Sequence, residues 1–152
     1  MSDTDRAVLV VDDFATMARI MKSIVGQLGY TDIDVCKSGE GALEKLKTRT
    51  YDFILSDLEM EPMSGGEFAA RARSHPYLVR CTIIIAAGSR EGAAQCVRDG
   101  LHEVVDGFIF KPFTASDLSV KLLEIRNRKR ARKFASDSGE AARHMPSTGS
   151  SA

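Results

Sequence analysis

The sequence predicts a doubly wound α/β domain, with five parallel strands in the order 2-1-3-4-5 and helices on both faces of the sheet. Three observations predict it. Short, nearly continuous apolar runs recur along the chain; stretches of helical period separate them; strand and helix alternate five times before the composition changes. A strand covered on both faces is apolar at every position rather than at alternate ones, as in buried parallel sheet. Strict alternation with helices then gives a layered α/β packing.

Ala7-Val8-Leu9-Val10-Val11 supplies the first strand. Met17, Ile20, Met21, Ile24, Val25 and Leu28 follow at spacings of three and four, an apolar stripe along a helix over Ala15–Leu28. Gly29 stands where a left-handed C-cap is wanted. Ile33–Cys36 is a weaker second strand, and Ser38 can cap a helix over Gly39–Thr48. Phe53-Ile54-Leu55 is the third strand. Ser64 and Glu67 form a capping-box pattern at the head of a helix over Gly65–Ser74. Ile83-Ile84-Ile85-Ala86 and Phe108-Ile109-Phe110 are strands four and five, followed by helices over Glu91–Asp99 and Ala115–Arg130.

These elements place one domain in residues 1–125. Residues 126–133 continue the last helix as a basic extension, and residues 134–152 hold too few large apolar groups to offset ordering entropy, so disorder is expected there. With 43% hydrophobic and 28% charged residues the chain reads as an ordinary globular protein. No apolar run approaches the roughly 20 residues of a membrane span, so no membrane insertion is expected. Met1–Arg6 is polar and acidic, unlike a secretory leader. Cys36, Cys81 and Cys96 are widely separated and odd in number, consistent with reduced thiols buried as small hydrophobes in a cytoplasmic protein.

The zero net charge conceals an asymmetry. Arg126, Arg128, Lys129, Arg130, Arg132 and Lys133 are six basic residues in a stretch of eight without an acid. Removing them from the 21 lysines and arginines leaves 15 against 21 acids, so the body carries −6. Arg126, Arg130 and Lys133, spaced by four and three, share one helix face with Lys129 beside them.

Two strands run into carboxylates: Asp12-Asp13 follow the first, and Ser56-Asp57 end the third. In an open α/β sheet a ligand sits beyond the carboxyl ends of the strands where their order reverses, which in the flavodoxin-like order lies between strands 1 and 3. Carboxylates gathered there repel by roughly 4 kcal/mol per pair at 4 Å and an effective dielectric near 20. A divalent cation relieves that repulsion, and a few hard oxygen ligands with room for water favour Mg²⁺. Strand 5 carries Lys111 to the same rim. A carboxylate nucleophile, a metal and an opposing ammonium are the parts an aspartyl phosphate requires.

Val10-Val11-Asp12-Asp13-Phe14-Ala15-Thr16-Met17, Ser56-Asp57, Gly65 and Lys111-Pro112-Phe113-Thr114 resemble the receiver domains of two-component response regulators, and within them the single-domain chemotaxis type. The resemblance covers about Arg6 to Ile125. It implies phosphorylation of Asp57 by a histidine kinase, a phosphotransfer protein or a small phosphodonor. It also implies that Asp13, Asp57 and the backbone carbonyl of Glu59 ligate Mg²⁺, that Asp12 does so through water, and that Lys111 contacts the phosphoryl group. The implied protein is a stand-alone phosphorelay receiver, signalling through an unidentified downstream target in chemotaxis or motility, and not an enzyme on external substrates.

Where the family carries Thr or Ser at the end of strand 4, this chain has Ala87, and the aromatic switch position is Phe108. Neither offers a hydroxyl, which leaves Ser89 as the candidate substitute if its loop folds back. Phe108 reads equally as core packing or as a rotamer switch. Other chemistries lack their signatures. His75, His102 and His144 have no metal-ligand spacing with cysteine, no phosphate loop or G-x-G-x-x-G occurs, and the D-x-D pattern of aspartyl-phosphate phosphatases is absent. The basic extension leaves three alternatives: an arginine-rich clamp for an anionic ligand such as cyclic di-GMP, a nucleic-acid-binding arm (the less expected), or a solvated helix end at the negative pole of its dipole.

Overall fold

The computed structural model describes residues 6–75 and 81–144. Its elements are β1 (Ala7–Val11), α1 (Ala15–Gln27), β2 (Asp32–Cys36), α2 (Gly39–Leu46), β3 (Phe53–Asp57), α3 (Gly65–Arg73), β4 (Thr82–Ala87), α4 (Arg90–Arg98), a short 3₁₀ turn at Leu101–Glu103, β5 (Gly107–Phe110) and α5 (Ala115–His144). The five strands form one parallel sheet in the order β2-β1-β3-β4-β5, as the sequence predicts.

The pleat explains why the strands are apolar throughout. Leu9, Val11, Ile54, Ile83 and Ile85 point to one face, where Leu46 of α2, Phe68 of α3 and Cys96 of α4 cover them. Val8, Val10, Phe53, Leu55 and Ile84 point to the other, under Met21 and Val25 of α1 and Leu118, Leu122 and Ile125 of α5. The punctuation behaves as its chemistry requires. Gly29 is left-handed at φ 100°, the Ser38 hydroxyl accepts from the Gly41 N–H, and the Ser64 hydroxyl accepts from the Glu67 N–H. Thr114 and Asp117 cap α5 reciprocally.

Several expectations change. Ile20 is not part of the buried stripe of α1: it is 45% exposed, and Ala18 takes the buried place. Only Cys96 is fully buried; Cys36 and Cys81 are half-buried at the margin of the first core, and all three are free thiols. The helix α5 continues to His144, so residues 134–144 do not form the disordered segment expected from Phe134 onward. No proline occurs between Ala115 and His144 to break its hydrogen-bond ladder. Residues 145–152 lie outside the described residues.

The basic extension is only partly free. Arg126 donates to the Tyr30 hydroxyl and to Asp52, each at 3.1 Å. Arg128 donates to the Asp106 carbonyl at 2.8 Å, and Lys129 reaches the Thr82 hydroxyl at 3.0 Å and the Asp106 carboxylate at 3.4 Å. Part of the positive run thus docks on acids at the amino ends of the strands, away from the carboxylate rim. Arg130, Arg132 and Lys133 lie exposed on the helix beyond.

Asp106 ties that edge together, accepting from the Ile83 N–H at 2.7 Å and from Arg73 at 2.6 Å as well as pairing with Lys129. Replacing Asp106 with Ala leaves Arg73, itself only 15% exposed, without this partner. We expect a loss of about 2–3 kcal/mol, measured by urea denaturation at neutral pH. A loss below about 0.5 kcal/mol would mean that the edge does not depend on this carboxylate.

Candidate functional site

Parallel pairing carries Asp12, Asp13, Asp57 and Lys111 to one rim. Asp57 is the last residue of β3, opposite Ala86 of β4, and the next ladder bond runs from the Leu58 N–H to the Ala86 carbonyl at 2.9 Å. Asp12 extends β1 by donating its N–H to the Cys36 carbonyl at 3.1 Å. Lys111 extends β5 by donating its N–H to the Ala87 carbonyl at 2.9 Å. The turn after Asp57 closes when the Gly65 N–H donates to the Leu58 carbonyl. A Cβ on Gly65 would lie 2.1 Å from the Asp57 carbonyl oxygen, so the first residue of α3 must be glycine for the chain to pass so close.

Asp57 and Asp12 are almost entirely buried, at 3% and 1% exposure, whereas Asp13 faces solvent. One carboxylate oxygen from each lies within 4.8 Å of the others. The Lys111 ammonium donates to Asp57 Oδ1 at 2.5 Å. Asp12 Oδ1 accepts from the Phe14 N–H at 2.9 Å, and Asp13 Oδ2 accepts from the Glu61 N–H at 3.3 Å. Asp12 Oδ2 is buried with no hydrogen-bond partner, an expensive state for a carboxylate oxygen. Burial pushes the Asp57 carboxyl up to about 6; the Lys111 hydrogen bond opposes the rise, and the nearby negative charges of Asp12 and Glu59 add to it. Burial raises Asp12 as well, against the Phe14 amide and the Lys111 charge.

These residues fit a hard divalent cation. Three carboxylates converge, one buried oxygen is orphaned, and the exposed side at Asp13 leaves access for water ligands. The other expected site residues add no carboxylate to this group. Ala87 is fully buried at the end of β4. Ser89 is no substitute hydroxyl: it is the N-cap of α4, and its Oγ accepts from the Gly92 N–H at 3.0 Å. Phe108 is half-buried and packs against the core on the α2–α4 face. Glu59 is exposed, and its carboxylate accepts from the Gly88 N–H. Sequence reasoning missed that contact, as well as the stacking of the Arg90 guanidinium 5.1 Å above the Phe110 ring. No local motif marks either; only the glycine pair Gly65-Gly66 at a helix start hinted at the close approach to Asp57.

The fold is a parallel α/β sheet with three carboxylates and a lysine gathered at its switch point. Residues 8–123 match the response regulator receiver domain. The chain is 34% identical over 123 residues to the chemotaxis protein CheY-3 of Vibrio cholerae serotype O1, covering 80% of this chain and 92% of that protein. It is 32% identical over 125 residues to the chemotaxis protein CheY of Pseudomonas aeruginosa, covering 80% and 96%. Among solved structures it is similar to the response regulator TrrA of Thermotoga maritima in complex with Mg²⁺-BeF, with a TM-score of 0.69, 28% identity, and 79% and 98% of the two chains covered. CheY4 of Vibrio cholerae, at 23% identity and a TM-score of 0.69 over 79% and 98% of the chains, shows the same fold. The chain belongs to the response regulator receiver family, and its relatives place it with the CheY-like receivers of two-component signalling. Such receivers are signalling proteins rather than typical enzymes. Among the described residues no helix is long and apolar enough to cross a membrane.

The raised Asp57 carboxyl has a measurable consequence. Folded Asp57 binds its proton more tightly than the unfolded chain does, so its contribution to stability is present below the ordinary value of 3.8 and lost as pH rises through about 6. In chelator at pH 7, Asp57→Asn is therefore expected to be more stable than wild type, on the order of 2 kcal/mol. That difference shrinks as pH falls from 6 towards 4. Urea denaturation across this range checks it; an Asn variant that is less stable at pH 7 would contradict the burial argument.

Proposed function

We propose that Asp57 is the phosphoryl acceptor of a phosphorelay receiver, with Mg²⁺ as its cofactor and with phosphorylation-dependent binding to a target protein as its output. The observation that carries this reading is the meeting of a buried, lysine-bonded Asp57 with two further carboxylates, one holding an orphaned oxygen. The family implies a histidine kinase or phosphotransfer protein as donor and a downstream target as receiver of the signal. The chemotaxis relatives favour chemotaxis or motility as the setting.

In the proposed reaction a carboxylate oxygen of Asp57 attacks the phosphorus of the donor. A P–O bond to Asp57 forms, the P–N bond of a phosphohistidine breaks, and the electron pair returns to the imidazole, which takes up a proton. Asp13, Asp57 and the backbone carbonyl of Glu59 would hold Mg²⁺ directly, and Asp12 through water. Bound there, Mg²⁺ would supply charge neutralisation at the transferring phosphoryl oxygens. Lys111, already 2.5 Å from Asp57, is positioned to follow the negative charge onto the phosphoryl group. Burial of Asp57 excludes bulk water from the nucleophile before transfer.

The phosphate-clamp alternative at the basic extension has less support. Arg126 and Lys129, two residues of the face that would hold cyclic di-GMP, are engaged with Tyr30, Asp52, Thr82 and Asp106.

Incubation with acetyl phosphate or phosphoramidate tests the reading by intact mass. Wild type in Mg²⁺ gains one phosphoryl group; Asp57→Asn gains none, and neither does wild type in excess chelator. Labelling of the Asn variant, or full labelling in chelator, would refute it.

A further inference from the structure

Helix α5 is apolar on two opposite faces. Leu118, Leu122 and Ile125, spaced by four and three, are buried against α1 and the sheet. At about 3.6 residues per turn the far side of the helix carries Val120, Leu123, Asn127, Ala131 and Phe134, again at spacings of three and four. Val120 is 54% exposed, Leu123 58% and Phe134 75%, and Asn127 and Ala131 are exposed between them. A surface helix that serves one body is polar on its far side, so a second apolar stripe points to a second packing partner. The stripe also runs off the body. Every residue from 130 to 136 is exposed, although the helix continues to His144. A helical segment of that length is marginal in water alone, and packing of an apolar face is what ordinarily sustains one.

We propose that α5 pairs antiparallel with α5 of a second copy of this chain, about a two-fold axis at Asn127. The stripe is self-complementary about that residue. Val120 and Phe134 lie seven residues to either side of it, and Leu123 and Ala131 four. Turned end for end, the helix therefore sets Val120 against Phe134 and Leu123 against Ala131, a smaller side chain facing a larger one at each level. Asn127 meets its own counterpart, where the two amides can hydrogen-bond. This is the reciprocal pattern of an isologous two-fold contact. Charge selects the same direction. Parallel pairing would lay the six basic residues of 126–133 along the same six of the second copy. Antiparallel pairing lays each extension along the first half of the other helix, which holds Asp117 and Glu124, on a body of net charge −6 (21 acids less the 15 bases outside the extension). The core face of α5 points away from the stripe, so pairing displaces nothing in either body. A stripe roughly 20 Å long makes a small interface, and the dimer is expected to be a reversible, micromolar one.

Sedimentation of the full chain between about 10 and about 300 μM reads the pairing directly. Wild type is expected to pass reversibly from monomer to dimer, and hydrogen exchange of amides 130–136 is expected to slow as the dimer fills. Leu123→Asp and Phe134→Asp, at exposed positions that spare the core, are each expected to weaken the dimer on the order of tenfold or more. Ser136→Asp adds the same charge on the opposite side of the extension and is expected to leave the affinity within about twofold. Cysteine crosslinking with mapping of the joined peptides reads the direction: in a mixture, Val120→Cys is expected to join Phe134→Cys, and neither to join itself. Wild type that stays monomeric across the range, or a dimer indifferent to both stripe substitutions, overturns the proposal. Phe134→Cys joined to itself rather than to Val120→Cys overturns it as well, since that is the parallel arrangement. A monomer whose 130–136 amides gain protection only on anionic phospholipid vesicles would assign the stripe to a lipid surface and overturn it too. None of these outcomes involves Asp57, so the phosphoryl-acceptor reading stands or falls separately.

Discussion

Like-charge crowding at the carboxyl edge of the sheet governs this molecule. Asp12 and Asp57 are buried side by side at the ends of adjacent strands with Asp13 next to them, and Lys111 opposes their charge at close range. Such an arrangement costs stability in the absence of a cation: burial above all, with neighbouring negative charges adding to it, raises the Asp57 and Asp12 carboxyls. It persists because the surrounding structure leaves those side chains nowhere else to go. Parallel pairing fixes which residues end each strand, and Gly65 lets the chain turn back against the Asp57 carbonyl. The two cores clamp the sheet from both sides. A site assembled against its own repulsion is one that an added cation would stabilise.

The opposite edge of the sheet shows the reverse balance. There the acids Asp52 and Asp106 meet Arg126, Lys129 and Arg73 in satisfied pairs, and the basic segment serves in part as a latch for α5. The charge asymmetry of the sequence thus has a structural use. Acids at the amino ends of the strands are neutralised from within the chain, whereas Asp12, Asp13 and Asp57 at the carboxyl ends crowd together beside Lys111.

Much of this can be read from the residues in order. Continuous apolar runs announce parallel strands because each residue faces one of two cores, and Asp12, Asp13, Asp57 and Lys111 announce the site because strand ends in a parallel sheet share one rim. Features that depend on where a long side chain folds in three dimensions escape such reading. Glu59 lies two residues past Asp57, and nothing local says that its carboxylate reaches Gly88, 29 residues on. Arg126 and Lys129 have the spacing of an open clamp, but their partners lie far away in sequence at Asp52 and Asp106. Helix α5 runs on past the point where large apolar residues cease, because a segment free of proline can carry a helix onward from a well-capped start. Ser89 shows the same dependence on context: a serine before a helix can cap the helix's own amides, as it does here with the Gly92 N–H.

The central claim, that the crowded carboxylates at the carboxyl edge are a cation site, is tested most directly by paramagnetic broadening. Sub-stoichiometric Mn²⁺, added to the ¹⁵N-labelled protein and displaced afterwards by excess Mg²⁺, is expected to erase the amide signals of residues 12–14 and 57–60 first, and Mg²⁺ is expected to restore them. Broadening centred instead on Asp32 and Asp34, or on Asp52, or broadening spread without a focus, would contradict the claim.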